Sequence, residues 1–362
     1  MRVLWLSPWL RPLARANVEG LRALGVEVML ITAPLHPESD ALREYEVELL
    51  GRPLPHKGWL PFIAAHKGAK RFKPDVVVTE FLRDVRWRAF GSLAPRVRLV
   101  HDARPHDPTD VLPWWTRMFF DRWDATADAT VVFSRYVSDA IRAKGVLRQP
   151  LYEAPLTSDL DDFSVPAFVA AAARKNFVMI GRQKPYKNHD VVFAAWEAHT
   201  AGPFWRGDEL VLLGDGLIPR PLPNHARWQR GSYRYRQITP ELAAYKGSIV
   251  HSRAASQSGV QVLSMQLGVP TLVSTAGALS EYQPQGLSVT GIDDVEALAS
   301  AIDALADPSE VNRQAKVAQA HYQTHFAAEI AAGRLLEIFT DILRGDQGAT
   351  VDRPGDGLGQ RG

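Results

Sequence analysis

Short β-branched and aliphatic runs alternate with longer stretches whose apolar positions recur at helical spacing, and this holds through most of the chain. Residues 2–6 (RVLWL) predict a first strand, and 13–24 a helix with Gly25 placed to cap its C-terminus. Further strands are predicted at 26–32, at 75–79 entered through Pro74, at 97–100 leading into His101 and Asp102, and at 130–133. Ser134 then stands at the N-cap of another helix. Residues 145–175 lose the alternation: Pro150, Pro155, Pro166 and an acidic run at 159–162 predict irregular chain. Beyond them the pattern restarts. Strands are predicted at 177–180, 209–213 (ending in Gly214-Asp215-Gly216), 249–250 and 270–274, and helices at 190–199, 295–305 and 321–343. The Gly- and Asp-rich tail at 344–362 has no periodicity and predicts disorder.

Strand–helix alternation that stops and begins again predicts an α/β chain of two tandem Rossmann-like domains facing across a cleft. The boundaries expected are 1–150 for the first domain, 151–175 for a linker, 176–320 for the second, 321–343 for a terminal helix and 344–362 for the tail. Open parallel sheets bind ligands beyond the C-terminal ends of their strands, so the cleft is where chemistry is expected.

A length of 362 residues suits two such cores, and the composition, 46% hydrophobic and 23% charged, is that of an ordinary globular chain. No apolar run reaches the roughly 18 residues of a membrane span, and the first ten residues lack the apolar core of a signal peptide. With no cysteine, disulfides, thiolate metal sites and cysteine nucleophiles are excluded, and a cytoplasmic protein is expected. A net charge of +2 defines no basic face, so no nucleic-acid partner is expected.

Directly after the strand at 177–180 comes Gly181-Arg182-Gln183-Lys184-Pro185-Tyr186-Lys187-Asn188. Glycine lets the backbone approach a ligand, while Arg182 and Lys187 place two cations beside it, as a diphosphate requires. A solvated basic loop would read the same way. After the strand at 270–274, Thr275-Ala276-Gly277-Ala278-Leu279-Ser280-Glu281 suits phosphate at a helix N-terminus, or simply a strand-to-helix turn. His101 and Asp102, at a strand end facing the cleft, suit ligand contact or general base work, or a backbone-capped loop. Arg104 and Asp107 are weaker candidates nearby.

Together and in this order, Gly181, Arg182 and Lys187, then Gly214-Asp215-Gly216, His251-Ser252, Gly268-Val269-Pro270, and Gly277 with Glu281 resemble the donor domain of the GT-B glycosyltransferases, in particular the retaining family 4. The likeness spans roughly residues 1–343 and implies a nucleotide-sugar-dependent glycosyltransferase needing no metal or other cofactor. It implies that Arg182 and Lys187 hold the donor diphosphate, that Gly181, Gly214, Gly277, Ala278 and Glu281 line phosphate and sugar, and that His101 lies at the donor sugar. Front-face transfer with retention is then expected, the departing phosphate oxygen taking the acceptor proton. It also implies that the helix at 321–343 crosses back to the first domain.

The chain departs from that pattern where the family carries two glutamates with seven residues between them. Anchored on Gly259, the register places Ser256 and Ser264 there, with Ser258 between them. Serine accepts a hydrogen bond more weakly than a carboxylate does. The glycine-rich loop of many relatives is replaced by Ser7-Pro8-Trp9-Leu10-Arg11. These differences leave alternatives open: an inverting enzyme or sugar-nucleotide epimerase using His101 or Asp102 as base, or an inactive binding subunit. The expected partners are a nucleotide-sugar donor and a glycan or lipid-linked acceptor, as in surface polysaccharide or glycolipid synthesis. Residues 56–73 interleave Lys57, Lys67, Lys70, Arg71 and Lys73 with Trp59, Phe62 and Phe72, which suits peripheral contact at the inner face of a membrane. Residues 114–123 (WWTRMFFDRW) suit such contact or a helix buried on the sheet.

Overall fold

A computed structural model describes residues 1–34, 41–50, 58–82, 84–102, 114–145 and 147–345. Arg104, Asp107, Lys57 and most of the tail lie outside the described residues.

The first sheet has seven parallel strands in the order β3-β2-β1-β4-β5-β6-β7. They are β1 (Arg2–Ser7), β2 (Glu27–Thr32), β3 (Glu46–Glu48), β4 (Val76–Glu80), β5 (Arg96–Val100), β6 (Ala129–Val132) and β7 (Leu151–Glu153). The helices α1 (Arg11–Ala23), α2 (Trp59–Phe72), α3 (Trp114–Asp124) and α4 (Arg135–Arg142) belong to this half, with a 3-10 stretch at Val85–Ser92. Buried on both faces, the central strands are nearly all apolar: Val3 to Leu6 and Val76 to Val78 have no exposed surface. β3 and β7 are three residues each, too short for an alternation to mark them in the sequence. β7 joins the first sheet from within the stretch predicted as linker.

The second sheet repeats the plan with six strands, β10-β9-β8-β11-β12-β13. They are β8 (Phe177–Ile180), β9 (Leu210–Leu213), β10 (Ala226–Gln229), β11 (Gly247–Val250), β12 (Thr271–Ser274) and β13 (Val289–Thr290). Its helices are α5 (His189–Ala201), α6 (Tyr235–Ala243), α7 (Gly259–Gln266), α8 (Leu279–Tyr282) and α9 (Val295–Ala304), followed by α10 (Pro308–His325) and α11 (Ala328–Arg344). Both sheets reverse strand order beside their first strand, between β1 and β4 and between β8 and β11, which is where a crevice opens in such folds.

The terminal helix expected at 321–343 is two helices. Phe326 breaks the run because its ring is buried against Tyr282 and the rings of His321 and His325, which turns the chain before α11 starts. α11 then lies on the first domain. A side chain at Gly20 of α1 would sit 2.7 Å from the Ala328 carbonyl oxygen, so only glycine admits this crossing. Leu335, Ile338 and Phe339 of α11 join the core that holds Val3, Trp5 and Leu30. Met265, Tyr282 and Tyr322 enter the same cluster, so one apolar core runs under both domains.

Candidate active site

Cations of the second domain gather at the end of β8. Lys187 is buried, and its ammonium donates to the Ile180 carbonyl at 2.6 Å. Burial, and then the neighbouring Arg182 charge, push its pKa down to about 8. Arg182 itself is exposed at the mouth. A Cβ at Gly181 would meet the Lys187 ammonium at 3.2 Å, so glycine there leaves the ammonium its place under the strand end. At Gly214, with φ +127°, a Cβ would lie 2.4 Å from the Gly181 carbonyl oxygen. The two loops therefore close on each other backbone to backbone, and the Gln183 backbone N–H donates to the Asp215 carbonyl at 2.7 Å. His189 is pushed down to about 4 by burial and by Lys187, which keeps a third cation out of the cluster at neutral pH.

The N-terminus of α7 is the next wall. Ser258 is its N-cap and accepts from the Gln261 N–H at 3.1 Å. A Cβ at Gly259 would meet nothing within 4 Å, so the first turn opens onto free space. One residue on, the Val260 side chain lies 3.7 Å from the position of a Gly181 Cβ. An α7 N-terminus with open space beside an ammonium is an arrangement that suits an anion. Ser264 faces inward and bonds its own helix, donating to the Val260 carbonyl at 2.8 Å.

The Gly277 loop sits against the entrance to α7. At φ +56° a Cβ on Gly277 would fall 1.8 Å from the Ala255 carbonyl oxygen, which already accepts the Ala278 N–H at 3.0 Å. The helix that follows, α8, has only four residues. Glu281 points away from the second domain. Its two carboxylate oxygens accept the N–H groups of Arg135 and Tyr136, at 2.8 and 2.7 Å, at the exposed start of α4. Ser134 adds a bond of 2.7 Å to the Ser256 carbonyl, and the Tyr282 hydroxyl donates to the Phe133 carbonyl. The cleft is closed along this seam.

His101 brings the first domain to the same place. Its Nε2 lies 2.6 Å from Glu80, both side chains being buried, and its ring stacks on Phe81. The other carboxylate oxygen of Glu80 accepts from the Ser7 hydroxyl at 2.5 Å. Gln257, directly before the α7 cap, reaches across the cleft to His101 Nδ1 at 2.7 Å. With the amide donating to Nδ1, the ring proton lies on Nε2 and points at Glu80. Asp102 and His101 also line a small hollow of 70 Å³ with Arg98 and Asp124.

Of the expected residues, Gly181, Lys187 and Gly214 meet at the end of β8, with exposed Arg182 and the first turn of α7 at Gly259 beside them, and His101 reaches α7 through Gln257. Ser256, Gly277, Ala278 and Glu281 form the seam between domains. Glu80, Ser7 and Gln257 were missed. A glutamate ending the apolar run VVVTE at the switch point was the available signal for Glu80, because a carboxylate is not buried there without a partner. A larger groove of 1220 Å³ lies at the hinge side of the cleft, lined by Glu281, Arg135, Arg334, His321 and His325 but not by Arg182 or Lys187.

Comparison with known proteins agrees with this fold. Residues 14–160 match the model of Glycosyltransferase Family 4. Sucrose-phosphate synthase from Thermosynechococcus elongatus superposes with a TM-score of 0.68 at 16% identity, over 95% of this chain and 100% of its own. Anabaena HepE, in complex with UDP and glucose, gives 0.67 at 15% identity over 94% and 100%. AviGT4, a glycosyltransferase involved in avilamycin A biosynthesis, gives 0.60 at 16% over 95% and 98%. The chain has the GT-B fold of these glycosyltransferases. The family 4 match covers most of its first domain, and the structural likeness covers both domains and α11. No curated protein matches the GT-B chain in sequence.

Proposed function

We propose that the protein transfers a sugar from a nucleoside-diphosphate sugar to an acceptor hydroxyl, with retention of anomeric configuration and without a metal. The observation that supports it most is the meeting of Lys187, Arg182 and the open N-terminus of α7 at the end of β8, opposite His101. A nucleoside diphosphate would lay its phosphates on that ground. As the bond from the anomeric carbon to the outer phosphate oxygen breaks, charge grows on that phosphate, where fixed cations stabilise the transition state most. The acceptor oxygen bonds to the same face of the anomeric carbon, and its proton passes to the departing phosphate oxygen. Glu80 does not offer a nucleophile to the cleft, since both its oxygens are engaged by His101 and Ser7. HepE is described with UDP and with UDP-glucose, which makes a uridine nucleotide the first donor to try.

The test is a thermal-shift series with UDP, GDP, ADP and TDP and their sugar conjugates, on the native protein and on Arg182→Ala. One nucleotide should raise the melting temperature by mass action, and the variant should lose most of that rise. No shift with any nucleotide would overturn the donor site.

A second mechanism has an observation of its own. A buried imidazole backed by a carboxylate is the usual form of a general base, and His101 with Glu80 has that form once Gln257 withdraws. An inverting transferase would use it to take the acceptor proton. NMR of the first-formed product decides between them: the donor's anomeric configuration supports retention, and the opposite one makes His101 the base. The acceptor side belongs to the first domain and suits a glycan or a lipid-linked sugar.

A further inference from the structure

On one rim of the first domain, α2, the Val85–Ser92 stretch and α3 expose large apolar side chains side by side. Leu60 is 81% exposed, Trp114 71%, Val85 55%, and Trp59, Ile63, Met118 and Phe119 are also uncovered. They form one face. The Arg86 guanidinium lies 6.0 Å over the Trp59 ring, and that of Arg88 lies 4.4 Å over Phe119. Beneath them Phe62, Phe90, Phe120 and Trp123 are fixed in the core, so the exposed rings are held out on a rigid base. Part of α3 does bury itself on the sheet, through Phe120 and Trp123, while Trp114, Met118 and Phe119 do not.

α2 is graded along its length. Its outward positions run from Leu60 and Ile63 to Lys67, Lys70 and Arg71, at helical spacing, with Lys73 just beyond. No acidic residue occurs in α2. Lys70 stands seven positions after Ile63, about 10 Å along the axis, comparable with the polar layer of a bilayer leaflet. Asp121 on α3 and Asp128, which lines a hollow with Val85 and Arg88, are exposed acids near this face among the described residues.

We propose that this rim docks on an anionic lipid bilayer, the apolar tip entering the interface and the α2 cations meeting the headgroups. Charge decides the occupant. A second copy of the chain, related by a two-fold axis, would oppose this lysine cluster to itself. The placement also has a consequence. In a parallel sheet the helices begin at the cleft end of the strands, so the membrane would lie against the cleft mouth. That the bilayer presents the acceptor rests on the transferase activity proposed above; the membrane contact does not.

Co-flotation of the full chain with phosphatidylcholine vesicles, with and without phosphatidylglycerol, tests this. The protein should float with the anionic vesicles, be released by high salt, and stay behind with phosphatidylcholine alone. Leu60→Ser with Ile63→Ser, and separately Lys67→Glu with Lys70→Glu, should each weaken vesicle binding by about tenfold or more. Both variants should keep the wild-type melting curve and nucleotide shift. Failure of the wild type to float, or variants that float as well as it does, would overturn the proposal. So would lipid-free self-association, seen by ultracentrifugation, that the serine variant abolishes while the wild type does not float. A missing nucleotide shift with intact flotation would instead count against the donor site alone.

Discussion

At the scale of single residues, the informative group is Lys187. A buried ammonium is costly, and among the described residues the Ile180 carbonyl at 2.6 Å is the acceptor that offsets that cost. A diphosphate would restore the lost solvation and raise the pKa again. In the free protein the ammonium loses its proton above about pH 8. The proposed donor site predicts a nucleoside-diphosphate affinity that falls as pH rises through about 8, since binding must then take up a proton. The stability of the unliganded protein changes in the opposite sense. Between about 8 and the ordinary lysine value of 10.5 the unfolded chain binds more protons, so stability rises with pH there. Calorimetric titration of the diphosphate across this range checks the first statement, and Lys187→Met should flatten the curve while weakening binding by roughly 10- to 100-fold.

At the scale of elements, the replacement of a glycine-rich turn after β1 has a visible reason. α1 opens with Arg11 and Arg15, both buried, and both grip Glu46 of β3, at 2.8 and 2.5 Å. Burial alone would raise the Glu46 pKa, but the hydrogen bonds from Arg15 and Arg11 outweigh it and hold it at about 2. The ion group ties the N-terminus of α1 to the sheet edge. Removing the carboxylate takes the ion-pair partner from the buried Arg15, while Arg11 keeps Glu48 at 3.2 Å, so Glu46→Gln should cost about 3–5 kcal/mol in urea unfolding. Because the folded pKa is depressed, the contribution is complete above the unfolded value of about 4.5 and is lost as pH falls toward 2.

At the scale of the molecule, two Rossmann-like domains share a core through α11 and meet along a polar seam. Glu281 is central to that seam, since a carboxylate on the first N–H groups of α4 uses both the unpaired donors and the helix dipole. Glu281→Ala should weaken closure by about 1–2 kcal/mol while leaving each domain folded. Small-angle scattering would then show a larger radius of gyration for the variant without nucleotide. An unchanged radius would mean that Tyr282, Ser134 and the shared apolar core close the cleft without it.

Much of this was legible in the sequence. Strands 177–180 and 97–100, the Ser134 cap and the cations after β8 are local: each follows from a run of β-branched residues, a capping hydroxyl or a glycine at a strand end. The resemblance carried by Gly181, Arg182, Lys187 and Gly277 likewise needs only the order of short motifs. What the sequence could not supply is pairing at a distance. Glu80 and His101 are 21 residues apart and meet only because β4 and β5 are neighbours. Gln257 and His101 are 156 apart and meet only because the domains close. Glu281 could be read as a donor ligand from its motif, yet whether its carboxylate turns to the cleft or to α4 depends on where the first domain lies. Local periodicity and capping are written in neighbouring residues; the partner of a buried charge is decided by whichever element the fold packs against it.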